Sequence, residues 1–251
     1  MKRFLLLASL LITTCASLNA QPTAKPATFT LLSAVGTYVG LKYELSPKNL
    51  QTVTLNQSTS GPYTQPKGGN LTLFREIPAP KDAPPNTPPT RDIILSTTLP
   101  ADSPNCMVIC LRPAANPTAK LTAYILKNSP THVAGTLRIV NLSSFPSAVS
   151  VNKDKYMLAV GETQTVPAGP STEPVFIYVT LNKNGRWTPP IGSDYRIAKE
   201  LRGTMLIFDY IQDPDYEVIS FPPPLVTKTF FSISPEIAAE RKRKAAEAAG
   251  Q

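Results

Sequence analysis

The chain offers a single imidazole, His132, for chemistry that needs a base titrating near neutral pH. Nucleophilic systems of the Ser-His-Asp and Cys-His kinds need such a base, held in position by the fold. His132 lies in residues 128–134, Asn-Ser-Pro-Thr-His-Val-Ala, which have the composition of a connector. No Gly-x-Ser-x-Gly motif occurs near any serine. We therefore expect His132 to be a loop residue without a catalytic role.

Two cysteines, Cys106 and Cys110, lie four residues apart in the segment Asn-Cys-Met-Val-Ile-Cys-Leu. In a strand they share one face with their Cα atoms about 13 Å apart, whereas a disulfide needs less than about 7 Å. We expect buried thiols, with a disulfide as the alternative if the chain turns near Asn105. Without a Cys-x-x-Cys motif or a second histidine, neither a redox pair nor a closed zinc site is expected.

Acidic residues cluster in residues 209–217, as Asp209, Asp213, Asp215 and Glu217. Their spacing offers oxygen ligands of the kind that calcium prefers, but no glycine is present for the sharp bend of a calcium loop. Acids such as Asp209 and Asp215 would also suit the carboxylate pair of a glycoside hydrolase. We expect no catalytic, cofactor-binding or metal-binding residues and no cofactor. A carboxylate-dependent enzyme acting on envelope polysaccharide is the alternative.

Aromatic side chains are the third kind of residue that could define a site. A carbohydrate-binding module needs exposed aromatic rings, although burial is the commoner fate of such residues. The candidates are Trp187, Tyr195, Tyr210 and Tyr216. A carbohydrate-binding protein therefore stands beside the enzyme as an alternative function.

The N-terminal segment, residues 1–20, has the order of a secretory signal peptide. Lys2 and Arg3 precede an apolar run of nine residues from Phe4 to Ile12, and small and polar residues lead to Ala20. We expect cleavage after Ala20 and a periplasmic or extracellular protein. Cys15 raises lipidation as an alternative, although Thr14 before it is bulkier than the residue usual there. No later apolar run is long enough to span a membrane.

Composition favours an extracytoplasmic β protein. Charged residues make up 17% of the chain and there are 27 prolines, against usual values of about 25% charged residues and about 5% proline. The formal net charge is +8, but the basic residues are scattered and form no stripe interleaved with aromatics. Nucleic acid is therefore not an expected partner. The expected partner is an envelope protein or an envelope polysaccharide.

Short apolar or alternating runs separated by Pro, Gly and Asn recur every 8–12 residues or so, which predicts an all-β sandwich or barrel. We predict two consecutive immunoglobulin-like antiparallel β-sandwich domains, at residues 21–129 and 130–234, with the boundary near Pro130. No internal sequence repeat is strong enough to indicate duplication. The fifteen predicted strands are residues 29–35, 39–45, 51–55, 71–77, 92–99, 106–112, 120–127, 136–142, 148–151, 156–160, 163–166, 175–181, 204–211, 216–220 and 226–233.

Residues 235–251 differ from the rest of the chain. Ser234 suits a helix cap, Pro235 the first helical position and Glu236 the first turn. The following Ala-rich sequence has almost no apolar face to bury, so we predict a short, exposed helical tail. The basic run of residues 241–244 suggests adhesion to acidic lipid or polymer as an alternative to a solvated surface.

One segment resembles known proteins. Residues 136–167 contain Thr-Leu-Arg-Ile-Val-Asn-Leu-Ser, then Ser-Ala-Val-Ser-Val-Asn, Tyr-Met-Leu-Ala-Val-Gly-Glu and Thr-Gln-Thr-Val-Pro. This pattern resembles exported bacterial β-sandwich modules of envelope proteins and, more distantly, an accessory protein of alginate acetylation. The resemblance implies a β-sandwich and export, and it carries over no catalytic residue. We expect an exported, non-enzymatic structural or binding protein of the cell envelope.

Overall fold

A computed structural model of the chain describes residues 26–84, 86–103, 105–112, 120–170, 172–209, 225–233 and 235–249. These residues form an all-β protein with one helix near the C-terminus. The strands are β1 (Thr28–Ser33), β2 (Tyr38–Ser46), β3 (Asn49–Leu55), β4 (Ser60–Thr64), β5 (Asn70–Ile77), β6 (Thr90–Thr98), β7 (Asn105–Leu111), β8 (Thr122–Leu126), β9 (Thr136–Asn141), β10 (Ser147–Val151), β11 (Asp154–Leu158), β12 (Thr163–Pro167), β13 (Val175–Lys183), β14 (Arg186–Trp187), β15 (Ile191–Tyr195), β16 (Leu201–Asp209) and β17 (Leu225–Ile233); the helix is α1 (Pro235–Ala249).

The strands form four sheets. Sheet A has the order β4-β1-β7-β8 and sheet B the order β3-β2-β5-β6. Sheet C has the order β12-β9-β16-β17, and sheet D the order β11-β10-β13, with β14 and β15 both pairing with β13. The expectation of purely antiparallel sheets is wrong at two places, because β1 pairs with β7 and β9 pairs with β16 in parallel. Each parallel pair joins strands far apart in the chain, as the long crossover of a parallel connection requires.

Each half of the chain packs two sheets around a core. Apolar side chains of sheets A and B form one cluster, among them Phe29, Tyr43 and Val108. Sheets C and D form another, among them Ile139, Val149 and Ile177. Sheet D has only one face packed on a core, so buried and exposed residues alternate along its strand β13.

A third apolar cluster joins the two halves. Leu32, Ile109 and Leu126 of sheet A pack with residues of sheet C, which are Val140, Leu206 and Phe208. Sheets A and C therefore lie back to back, and the four sheets stack in the order B-A-C-D. Burial on both faces explains the continuous apolar runs in β7, β9 and β16.

The two halves repeat one topology, although no repeat was evident in the sequence. In sheet A, the first strand, β1, lies between β4 and β7, and the last strand of the half, β8, lies at the far edge. In sheet C, β9 lies in the same way between β12 and β16, with β17 at the far edge. Even a detail recurs where the first strands end. Ser33 and Asn141 are both fully buried, and each side chain accepts a backbone N–H from the following turn, that of Val35 and that of Ser143 respectively.

Fourteen of the fifteen predicted strands correspond to strands of the structure, and the other, at residues 216–220, lies outside the described residues. Three strands of the structure are not among the fifteen, namely the two-residue β14 and the longer strands β4 and β15. β4 contains Gly61 and Pro62, and β15 contains Gly192 and Asp194, residue types that are depleted in strands. Both are edge strands, where such residues are tolerated.

The predicted C-terminal helix is confirmed as α1. An ion pair between Arg241 and Glu200 at 2.6 Å connects it to the preceding sheet region. Most of its described side chains are exposed, as expected for a helix without an apolar face.

Candidate functional site

A cleft opens between the edge strand of sheet A and the edge strand of sheet C. It is lined by residues 124–131, Thr136, Arg138 and residues 163–167, and its volume is about 840 Å³. We call it the β8–β12 cleft. The Tyr124 hydroxyl lies at one end of it, donating to the Gly161 carbonyl at 3.2 Å and lying 3.3 Å from the Thr163 hydroxyl. Contacts between β8 and the start of β12 therefore fix the two walls relative to each other.

Arg138 is the charged residue most enclosed by the cleft. It sits on β9 between Leu137 and Ile139, which point into the core of the second half, so its side chain points toward sheet A. Only 6% of Arg138 is exposed. Its Nη1–H donates to the Lys127 carbonyl at 2.8 Å, while its Nε is buried without a hydrogen-bond partner.

The charge of Arg138 has no acidic counterpart in the described structure. None of the described ion pairs involves it, and no aspartate or glutamate lines the cleft. Burial and, to a smaller extent, the charge of the nearby Arg202 together lower the pKa of Arg138 to about 10. An isolated buried cation is costly, since desolvation is not offset by an opposite charge. Chemically, a cation placed in this way can donate hydrogen bonds from its guanidinium to an anionic group that enters the cleft.

The second cation of the cleft, Lys127, is different. Its Nζ pairs with Asp102 at 2.9 Å, and both side chains are more than half exposed. This pair lies at the rim in water, where such interactions contribute little. Lys127 adds positive charge near the mouth, whereas Arg138 provides the enclosed contact. Hydroxyl groups supply most of the remaining polar lining, those of Ser129, Thr131, Thr136, Thr163 and Thr165 among them.

His132 lies in the loop between β8 and β9, as predicted, but its side chain is buried close to this cleft. Only 3% of it is exposed, and its Nε2–H donates to the Gly203 carbonyl at 2.7 Å. Burial lowers its pKa to about 4, and the positive charges of Arg138 and Arg202 act in the same direction. Arg202 in turn donates to the His132 carbonyl at 3.1 Å. The imidazole is therefore neutral at pH 7 and holds the connector against β16.

The cysteines are buried thiols, as predicted. Cys106 and Cys110 are free and face the core of the first half from the same side of β7. Burial raises the pKa of Cys106, and it raises that of Cys110 to about 12. A thiol held protonated in this way is a poor nucleophile and a poor metal ligand.

Of the acidic cluster, the structure describes Asp209, while residues 213, 215 and 217 lie outside the described residues. Asp209 ends β16, and its Oδ2 accepts the backbone N–H of Ser144 at 2.7 Å. The other oxygen, Oδ1, is buried without a partner. No three described His, Cys, Asp or Glu side chains come together as a metal site would require.

The predicted aromatic candidates have different environments. Trp187 is 47% exposed, whereas Tyr195 packs edge-on against Phe231 and accepts a hydrogen bond from Thr229. Residues 210 and 216 lie outside the described residues. Two rings that sequence reasoning did not select, Phe176 and Tyr178, are about half exposed on the outer face of sheet D.

Sequence reasoning missed Arg138, although a signal was present. A charged residue in the middle of the apolar run Leu-Arg-Ile-Val is unusual for a strand that is buried on both faces. That β8 and β12 would form the walls of the cleft could not be predicted, because it depends on how sheets A and C pack.

No protein-family model and no curated protein matches this chain. Within the described part of the chain, no helix has the length and apolarity needed to cross a membrane. What the fold and the site define is an all-β protein with a cationic cleft.

Proposed function

We propose that the protein is an exported, non-enzymatic binding protein that holds an anionic ligand in the β8–β12 cleft. Arg138 carries this proposal: it is an enclosed cation without an acidic partner, and it borders an open space. A carboxylate entering the cleft would accept from its guanidinium and balance its charge. Such charge-assisted hydrogen bonds are about twice as strong as neutral ones.

The proposed role as a binder is supported by the state of the potential nucleophiles. Cys106 and Cys110 are protonated and enclosed, and His132 uses its one N–H to hold Gly203. None of the three is positioned to activate a substrate in the cleft. We further propose that each half of the chain is an immunoglobulin-like domain, with the boundary near Pro130.

The ligand would belong to the cell envelope, as either a protein or a polysaccharide bearing acidic groups. Export rests on the signal-like residues 1–20, which N-terminal sequencing of the secreted protein tests directly. A chain that starts at Gln21 supports the proposal. A diacylglyceryl group on Cys15 would instead indicate a membrane-anchored lipoprotein.

The anion site is tested by titrating the purified protein with citrate and with acetate at constant ionic strength, followed by NMR. Wild type should show saturable shifts at residues lining the cleft, and Arg138→Gln should abolish them. Arg91→Gln is the matched control, since Arg91 pairs with Glu44 on the exposed face of sheet B. Equal citrate binding by both variants would show that Arg138 is not the site.

A further inference from the structure

The walls of the β8–β12 cleft are strand edges and not strand faces. Every residue of β12 lines the cleft, as does the continuous stretch of residues 124–131 that begins in β8. A strand that turns one face to a cavity contributes every second residue, because side chains alternate. Continuous lining means that the backbone itself borders the space.

The cleft-side edge of β12 is not paired with another strand of the described structure. β12 pairs only with β9 among the described strands, in the register Thr165 opposite Arg138. Asn141 donates to the Glu162 carbonyl, and Ala168 donates to the Gly135 carbonyl. Because inward-facing and outward-facing residues alternate along an antiparallel strand, even-numbered residues bond to β9. Thr163 and Thr165 therefore direct their N–H and C=O groups into the cleft. The Thr165 carbonyl accepts a long hydrogen bond of 3.4 Å from the Gln164 side chain, which an added strand would replace.

We infer that the ligand is an extended polypeptide segment that adds a strand to the free edge of β12 and places an acidic side chain at Arg138. This inference rests on the proposed anion site and specifies what occupies it. Strand addition supplies affinity through the main chain, while alternate side chains supply specificity.

The register predicts which ligand residue must be acidic. Directly opposed residues of an antiparallel pair project from the same face, so Arg138, Thr165 and the ligand residue opposite Thr165 lie in one row. The ligand backbone would be two strand spacings, about 10 Å, from that of Arg138. The short side chain of Thr165 leaves the space between them free for an extended Glu or Asp to meet the guanidinium.

The occupant is identified by selection of random heptapeptides displayed on phage against the purified protein. Wild type should enrich peptides with alternating β-forming residues and one acidic residue at a fixed position. Arg138→Gln should bind the selected peptide about tenfold more weakly or worse, the loss expected for one charge-assisted hydrogen bond. Thr165→Pro removes an outward N–H at an edge, where proline is tolerated, and should abolish peptide binding while the far-UV circular dichroism spectrum stays that of wild type.

Amide hydrogen exchange gives a second readout, which uses wild type and so does not depend on how a variant folds. The selected peptide should protect the amides of Thr163 and Thr165 and leave those of Gln164 and Val166 unchanged. Absence of enriched peptides, or equal peptide binding by Thr165→Pro, would overturn strand addition but leave the citrate result standing. If oligogalacturonate displaces citrate while no peptide binds, the occupant is an acidic saccharide and the peptide inference is wrong. If wild type does not bind citrate, the proposed function is wrong as well.

Discussion

The imidazole of His132 donates through Nε2 to the backbone carbonyl of Gly203, 71 positions later in the chain, at 2.7 Å. The bond ties the connector between β8 and β9 to the middle of sheet C. Among the described residues its Nδ1 is buried without a partner, and the positive charges of Arg138 and Arg202 oppose its protonation. The contact is therefore sensitive to acid.

We expect this sensitivity to appear as a loss of stability between pH 6.5 and about pH 4. In that window the unfolded chain binds a proton at His132 and the folded chain does not, so lowering the pH favours unfolding. The shift corresponds to about 3 kcal/mol of unfolding free energy, fully present above pH 6.5 and lost near pH 4. Urea unfolding of wild type and His132→Gln across this range isolates the contribution. Parallel pH profiles for the two proteins would contradict it.

The enclosed charge of Arg138 should be costly to the free protein. We expect Arg138→Met to unfold at the same temperature as wild type or a few degrees higher, because an isolated buried cation is replaced by a side chain suited to the interior. Citrate should stabilise wild type against heat and leave the variant unaffected. A large fall in melting temperature for Arg138→Met would show that the residue is retained for its bond to Lys127 alone.

The thiols of Cys106 and Cys110 should not react with Ellman's reagent in the native protein. Both are buried in the core of the first half, so modification requires unfolding. Under denaturant both should react, since neither is bonded in the structure. A surface cysteine introduced by Thr59→Cys provides the control for reagent access. Rapid native labelling of two thiols would contradict the packing of β7.

Gly69 should tolerate alanine poorly. Its φ is +76°, and an added Cβ would lie 2.9 Å from the Leu99 carbonyl oxygen, a backbone atom that cannot move aside. The neighbouring Gly68 has a similar φ of +81° but nothing within 4 Å of its Cβ position. We expect Gly69→Ala to cost about 1–3 kcal/mol of stability, more than Gly68→Ala, which bears only the backbone strain. Urea midpoints compare them, and equal losses would exclude the contact with Leu99 as a cause.

Much of the strand content could be predicted from the sequence, because alternation and turn residues are local signals. β10 to β12 illustrate this, with Asn152 and Gly161 at positive φ between them. The stacking of sheet A on sheet C could not be predicted, since it depends on contacts between distant strands. Continuous apolar runs such as those of β7 and β16 are typical of strands buried on both faces, but they do not show which surfaces meet.

The candidate site was less predictable than the fold. Its cation comes from β9, its backbone groups come from β12, and the opposing wall comes from β8. No motif in the sequence relates these three segments. His132 shows the same limit, because the polar residues around it suggest a surface loop while its contact with Gly203 places it inside.

Equivalent strands meet where sheet A packs on sheet C, so the contact has the self-complementary form of a homodimer interface, although it lies within one chain. Two identical subunits would carry two related sites. Here the register places Thr30 on β1 where Arg138 stands on β9, and their partners on the parallel neighbour are Met107 and Thr204. The approximate twofold symmetry between the two halves therefore does not extend to the charged residue, because only the second half has an arginine at this position. The chain should therefore bind one equivalent of ligand, at the cleft beside Arg138, and not a second equivalent at the corresponding position of the first half.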